Sequence, residues 1–462
     1  MNYRVTLSVF LSLVPLLGLG SSAEAQLNLS ELRLRSLGPS LTTGRITDFA
    51  IDPRNRSVWY AVAGSGGLWK TTNRGNTWQP IFDEYGSFCL GTLTIDEKNP
   101  DTLWLGTGEA ASQRSASFGD GIYKSTDAGK TWSRMGLEKS EHISKILVDP
   151  RDSNTVWAAA QGPLWSAGGE RGLYKTTDGG KTWQAVLTVD ENTGATDICF
   201  DPRNPDVVYA ATYQRRRHVG QLASGGGGAG IFKTVDGGKT WERLKDGLPT
   251  TNMGRIALAV SPQKPDVVYA HIGAAKQQIG FFRSENSGKS WSRMGDCPIQ
   301  DQQYYGEIIC DPVTFDKVYV MDMLIQVTEN GGKSFTRLNW PIHPDNHAMA
   351  FDSTDPLHLI IGNDGGLYET YDNGRTFRHF TNLPITQFYR VAVDDALPFY
   401  NIYGGAQDNG SMGGPSRTPW RAGIRTSEWI TVGGGDGMGP AIEPGDPDTL
   451  YTQSQNAALA RI

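Results

Sequence analysis

One eight-residue phrase, TTDGGKTW at 176–183, governs what this chain can become, because it is written seven times. The other copies are TTNRGNTW (71–78), STDAGKTW (125–132), TVDGGKTW (234–241), SENSGKSW (284–291), TENGGKSF (328–335) and TYDNGRTF (370–377). Their starts lie 54, 51, 58, 50, 44 and 42 residues apart. Repeats of this period with strand patterning between them read as the blades of a propeller. Each unit has one grammar: a strand ending near Asp-Pro (ITDFAIDP, ISKILVDP), a more apolar strand (SVWYAVA, TVWAAA), a third strand (GLWKT, GLYKT), then the box and a fourth strand. With no helical period in the units, the fold class is all-β, a β-propeller of four-stranded antiparallel blades.

The box has a structural task. Its Asp or Asn (Asp178 here) accepts backbone N–H bonds, the glycine two residues on permits positive φ, and the Trp or Phe covers the hairpin with apolar surface. A phosphate-binding loop would need a glycine five residues before the second glycine, and no copy has one. No cofactor site is expected. RVAVDD (390–395) and NIYGGAQDNG (401–410) continue the pattern without a box, and a ninth unit starts at GGGDGM. The expected organisation is therefore a leader over 1–25 and a propeller over 26–462. The propeller has seven boxed units across 45–381 and two unboxed ones across 389–462, about 8–10 blades in all. RLRSLGP (33–39) either completes the last blade or the ring is incomplete.

Residues 1–25 combine a basic start, an apolar run and Ala23-Glu24-Ala25, the pattern of a secretory leader, which predicts a secreted or periplasmic protein. No later apolar run is long enough to span a bilayer. With 43 basic against 49 acidic residues the net charge is −6, which disfavours nucleic acid as a partner. RRRH at 215–218 abuts ASGGGGAG and is expected in an exposed loop. Four cysteines are too few for a disulfide scaffold; Cys297–Cys310 as a bridge and buried thiols both stay open.

All seven boxes fit the pattern S/T-x-D-x-G-x-T/S-W/F, with Asn for Asp in three. The chain thereby resembles Asp-box (BNR) repeat proteins, and its wording is similar to sortilin-type propellers and, more distantly, xyloglucan-cleaving hydrolases. That resemblance implies the fold strongly and activity weakly. The xyloglucanases carry a catalytic Asp in a T-D-x-G-G-x-Y/W stretch; the matching segment here is AGSGGLW (63–69), with Gly64 at that place. A sialidase signature is absent.

Candidate sites are then sought in loops and channel walls. Asp408 (AQDNG) and Asp436 (GGGDGM), with Glu109 (GTGEA) and Glu307 (YYGEI) as alternative acids, are candidates for the carboxylate pair of glycoside hydrolysis. His343, Asp345 and His347 fall on one face of an extended segment and are candidate metal ligands. Tyr304, Tyr305, Phe388, Tyr389 and Trp420 are candidates for stacking on a sugar or gripping a peptide. The staple motifs, without a full catalytic set, favour a secreted binding or scaffold module for a protein, peptide or polysaccharide ligand. The alternative is a glycoside hydrolase acting on polysaccharide.

Overall fold

The computed structural model describes residues 35, 37, 43–111, 116–274, 278–352 and 354–462. The leader lies outside them, and of the 33–39 segment only Arg35 and Leu37 are described, neither in a strand. The first unit shows how the grammar folds: Ile46–Ile51, Trp59–Ala63, Leu68–Thr71 and Gln79–Pro80 pair antiparallel in chain order. Among the described residues nine such sheets follow one another, eight with this up-and-down path and a ninth of three strands, Ala441–Glu443, Asp446–Ser454 and Ala458–Arg461. Second strands such as Trp59–Ala63 and Leu103–Thr107 are wholly buried, since each is covered by a neighbouring sheet on both faces.

The first seven sheets close a ring. Trp59 and Phe49 of the first sheet share a core with Ile360, Leu367 and Phe380 of the seventh. Trp78 meets the Phe380 ring edge-on at 6.2 Å, and Arg56 is ion-paired with Asp352. Sheets eight and nine stand outside that closure and form their own small core of Tyr403, Val432 and Leu450.

The box works as a staple, with one difference from expectation. Thr176 Oγ1 accepts the Gly180 N–H at 3.0 Å, and Asp178 accepts the Thr182 N–H (3.0 Å) and hydroxyl (2.7 Å). Gly180 sits at φ +93°, where a Cβ would lie 2.7 Å from the Trp104 ring. The box aromatic, however, reaches beyond its own hairpin. Trp183 donates to Met135 O at 2.6 Å and meets Trp104 edge-on, both in the preceding sheet. Trp241 meets Trp157 in the same way. The tryptophan is a wedge between blades, because the staple aims it backwards across the sheet boundary.

Two polar latches run forward. Lys70, Lys124, Lys175 and Lys233, each on a third strand, donate Nζ–H to a carbonyl in the next sheet's box at 2.7, 3.2, 2.8 and 2.7 Å. Arg54, Arg151 and Arg203 each bridge their own Asp-Pro aspartate to an aspartate of the next sheet (Asp101, Asp206, Asp266). The RRRH run is not a loop: Asn204–His218 is one long strand that hairpins onto Gln221–Ser224, and Arg215 is buried. All four cysteines are free thiols, so the Cys297–Cys310 bridge is not formed.

Candidate active site

Between one face of the ring and the eighth sheet lies a cleft of about 340 Å³. The ring supplies Arg45, Ser65, Glu109, Tyr304, Tyr305, Asp345 and Asp364; the eighth sheet and the segment after it supply Tyr389, Asp408 and Asp436. Four of the expected residues, Glu109, Asp345, Asp408 and Asp436, thus meet in one place despite coming from the second unit, the sixth-to-seventh junction, the eighth unit and the eighth-to-ninth junction. Asp345 and Asp408 hold positive φ (68° and 59°), an uncommon backbone for non-glycine residues that Asp adopts more readily than most.

The centre of the cluster is Asp364, in the turn of GNDGG, which the sequence reading passed over. Its carboxylate accepts from Arg45 Nε at 3.0 Å, from His347 Nε2 at 2.8 Å and from the Tyr304 hydroxyl. Burial alone would raise its pKa, but the Arg45 charge and His347 overcome that and hold it well below the usual carboxylate range. Asp408 has the opposite fate. Burial, then the hydrogen bond and negative charge of Asp364, then Asp436, push its pKa up to about 9. The opposite shifts favour Asp364 as the ionised member of the pair and Asp408 as the one that holds a proton. Asp345 is also raised, by burial, against the hydrogen bond from Tyr305.

Arg45 is the keystone of the ring side. It bridges Asp364 of the seventh sheet to Glu109 of the second (2.7 Å) and packs 4.9 Å from the Tyr304 ring centre. Burial lowers its pKa, but Glu109 and Asp364 more than reverse this. Gly64, the place of the xyloglucanase carboxylate, lies beside this pair: a Cβ there would be 3.1 Å from Glu109 Oε1. A carboxyl from the second blade therefore occupies the neighbourhood that the first blade leaves empty. Asp436 Oδ1 accepts the Asp408 N–H at 2.8 Å and its Oδ2 accepts from Gln455 at 2.9 Å.

Other expected residues are placed elsewhere. Glu307 does not line the cleft; it pairs with Lys145 at 2.9 Å inside the ring, beyond Tyr304 and Tyr305, where it neutralises that lysine. His343 turns both ring nitrogens to backbone carbonyls, Pro344 O and Asp408 O, and His347 is spent on Asp364. Among the described residues the only group of three or more potential metal ligands within 4.8 Å is Asp345, Asp364 and Asp408, so the expected His343–Asp345–His347 set is not assembled. Tyr304, Tyr305 and Tyr389 line the cleft as donors to carboxyls, whereas Trp420 stacks on Arg425 away from it. An ionisable residue in a turn between second and third strands, as in GNDGG, is the signal that would have found Asp364.

A family model described as "Sortilin, neurotensin receptor 3" (Sortilin-Vps10) matches residues 120–277. The chain is 23% identical over 453 residues to the oligoxyloglucan-reducing end-specific xyloglucanase of Emericella nidulans, covering 88% of this chain and 49% of that protein. It is 23% identical over 366 residues to a xyloglucanase of Hypocrea jecorina, covering 70% and 41%. It thus spans about half the length, or less, of the curated relatives it matches. Among solved structures, the crystal structure of an ancestral GH74 enzyme superposes with a TM-score of 0.55 at 16% identity, over 93% of this chain and 68% of that one. The chain is an all-β propeller protein that resembles the sortilin type in its repeats and xyloglucanases in its sequence.

Proposed function

We propose that the chain takes part in hydrolysis of glycosidic bonds in a polysaccharide, outside the cytoplasm, with Asp408 as the general acid. What supports this reading is the cluster of cleft carboxyls with opposite shifts: Asp408, packed against Asp364 and Asp436, is pushed toward its protonated form, while Asp364, paired with Arg45, is held ionised. A glycosidic oxygen needs a proton as its bond to the sugar breaks, and a carboxyl that keeps its proton near neutrality supplies one. Asp364 is too close to Asp408 to serve as the second carboxyl, since acid and partner must flank the bond about 5 Å or more apart. Asp436, at the open side of the cleft and fixed by Gln455 and the Asp408 N–H, takes the role of base or nucleophile. The similarity to xyloglucanases supports a β-glucan backbone as substrate class.

The test is release of reducing ends from xyloglucan and unsubstituted β-glucans by purified protein. Asp408→Asn is expected to lower the rate by about 100-fold or more. Equal rates for wild type and variant would reject Asp408. One observation favours a binding module instead: Gly64 carries no carboxyl, and Glu109 beside it is locked by Arg45. Glycan binding without any cleavage by wild type would make that reading the correct one.

A further inference from the structure

We propose that Phe88 and Phe118 form an aromatic shelf at the rim of the cleft that takes the apolar face of a pyranose ring of the glycan. This rests on the glycan reading above. Among the described residues these are the two most exposed phenylalanines, at 65% and 72%. Two such rings left in water on chain segments that border a cleft ask for an occupant.

A single buried residue ties them to the site. The Cys89 thiol donates to Ser117 O at 3.0 Å and accepts the Glu109 N–H at 3.3 Å. The chain on either side of Phe88 is pinned: Ser87 Oγ and Cys89 bond each other across it, and Phe88 O accepts the Gly67 N–H at 3.0 Å. Phe118 precedes Gly119, whose N–H is held by Glu141 O at 2.7 Å and whose position leaves no room for a Cβ beside Thr107. Both rings are therefore presented on fixed backbone, joined through Cys89 to Glu109, while Ser65, Ser117 and Glu109 line the cleft itself.

The chemistry suits a sugar. One face of a pyranose presents C–H groups that pack on an aromatic ring, while its edge hydroxyls need polar partners. Here the segments that carry the rings also bring Ser117 and Glu109 to the cleft, so a sugar can be met both on its apolar face and at its hydroxyls. The shelf carries no ionisable group, which makes it a determinant of glycan grip rather than of bond cleavage.

The experiment titrates cellohexaose and a xyloglucan heptasaccharide, by calorimetry, into the Asp408→Asn chain and into the same chain with Phe88→Ala or Phe118→Ala. Each alanine is expected to weaken binding by about three- to tenfold, and Phe→Tyr to stay within about twofold of the parent. Thermal midpoints should be unchanged, since both rings are exposed. Unchanged affinity in both alanine variants, or no binding of either oligosaccharide by the parent, overturns the shelf. Displacement of the sugar by an unrelated extended peptide also overturns it. Cleavage by wild type with unaltered binding in the alanine variants rejects the shelf and keeps the hydrolase; binding lost in those variants without cleavage by wild type does the reverse.

Discussion

The ring of seven and the eighth sheet are built from the same four-stranded plan, yet they are held by different means. In the ring every unit carries a box, and wedge tryptophans and forward latches couple neighbouring blades. Its inner strands face other strands, as with Ile143–Asp149, where Ile143 and Ile146 are buried. The eighth sheet has no box, and its first strand Phe388–Val393 is exposed at nearly every position. It rests on the ring through polar contacts at the cleft, such as Asn409 to Asp364 O at 3.0 Å and the Asp364–Asp408 pair. Apolar wedges make a rigid frame, and a polar seam between frame and appendage makes a place where carboxyls can be held and shifted.

The strongest way to break the comparison is to remove a wedge partner. Trp157→Ala empties a fully buried site shared by two blades and should cost about 3–5 kcal/mol, whereas Trp420→Ala beside the eighth sheet should stay within about 1 kcal/mol. Chemical denaturation of both variants checks this; equal losses would mean that the frame is not where stability resides. Next comes the staple. Thr176→Val strands the buried Gly180 N–H and should cost about 1–3 kcal/mol, read in the same way.

A pH series sharpens the contrast locally. Asp408 is protonated in the fold up to about pH 9 but ionises near 4 when unfolded, so its contribution to stability declines as pH rises across that window and levels off above it. Asp364 has the reverse sign: its lowered pKa stabilises above about 4, and that contribution is lost in stronger acid. Amide exchange around residues 408–410 should therefore quicken relative to ring amides between pH 5 and 9, and the slope should vanish in Asp408→Asn. The smallest effect belongs to Arg151→Ala. Arg151 and Asp206 are half in solvent and the buried Asp149 keeps the Arg151 backbone N–H, so about 1 kcal/mol or less should be lost, shrinking further in salt.

Much of the frame is legible in the letters, because the box fixes a hairpin locally and recurs at blade spacing. What closes the ring is not, since Trp78 on Phe380 and Arg56 on Asp352 join residues some 300 positions apart. The direction of the box tryptophan is likewise invisible to local spacing: Trp183 is equally compatible with its own hairpin or the preceding blade until the sheets are stacked. In the cleft, glycine-flanked carboxyls are the useful signal for Glu109, Asp408 and Asp436, while Asp345 stands out through its alternation with His343 and His347. The same signal placed Glu307 with them, because the sequence does not say that Lys145 waits across the ring. Asp364 and Arg45 were passed over for the complementary reason: an Asp-Gly-Gly turn and a Gly-Arg-Ile step are common structural phrases, and only their meeting across the ring closure makes them a site.

The central claim is that one proton is shared between Asp364 and Asp408 at neutral pH. Carboxyl carbon-13 NMR of aspartate-labelled protein, titrated from pH 3 to 10, reads it directly. The account predicts one aspartate signal that stays in its protonated position until about pH 9 and is lost in Asp408→Asn. If every cleft aspartate instead titrated in the ordinary carboxylate range, with no such signal to lose, the account would be contradicted.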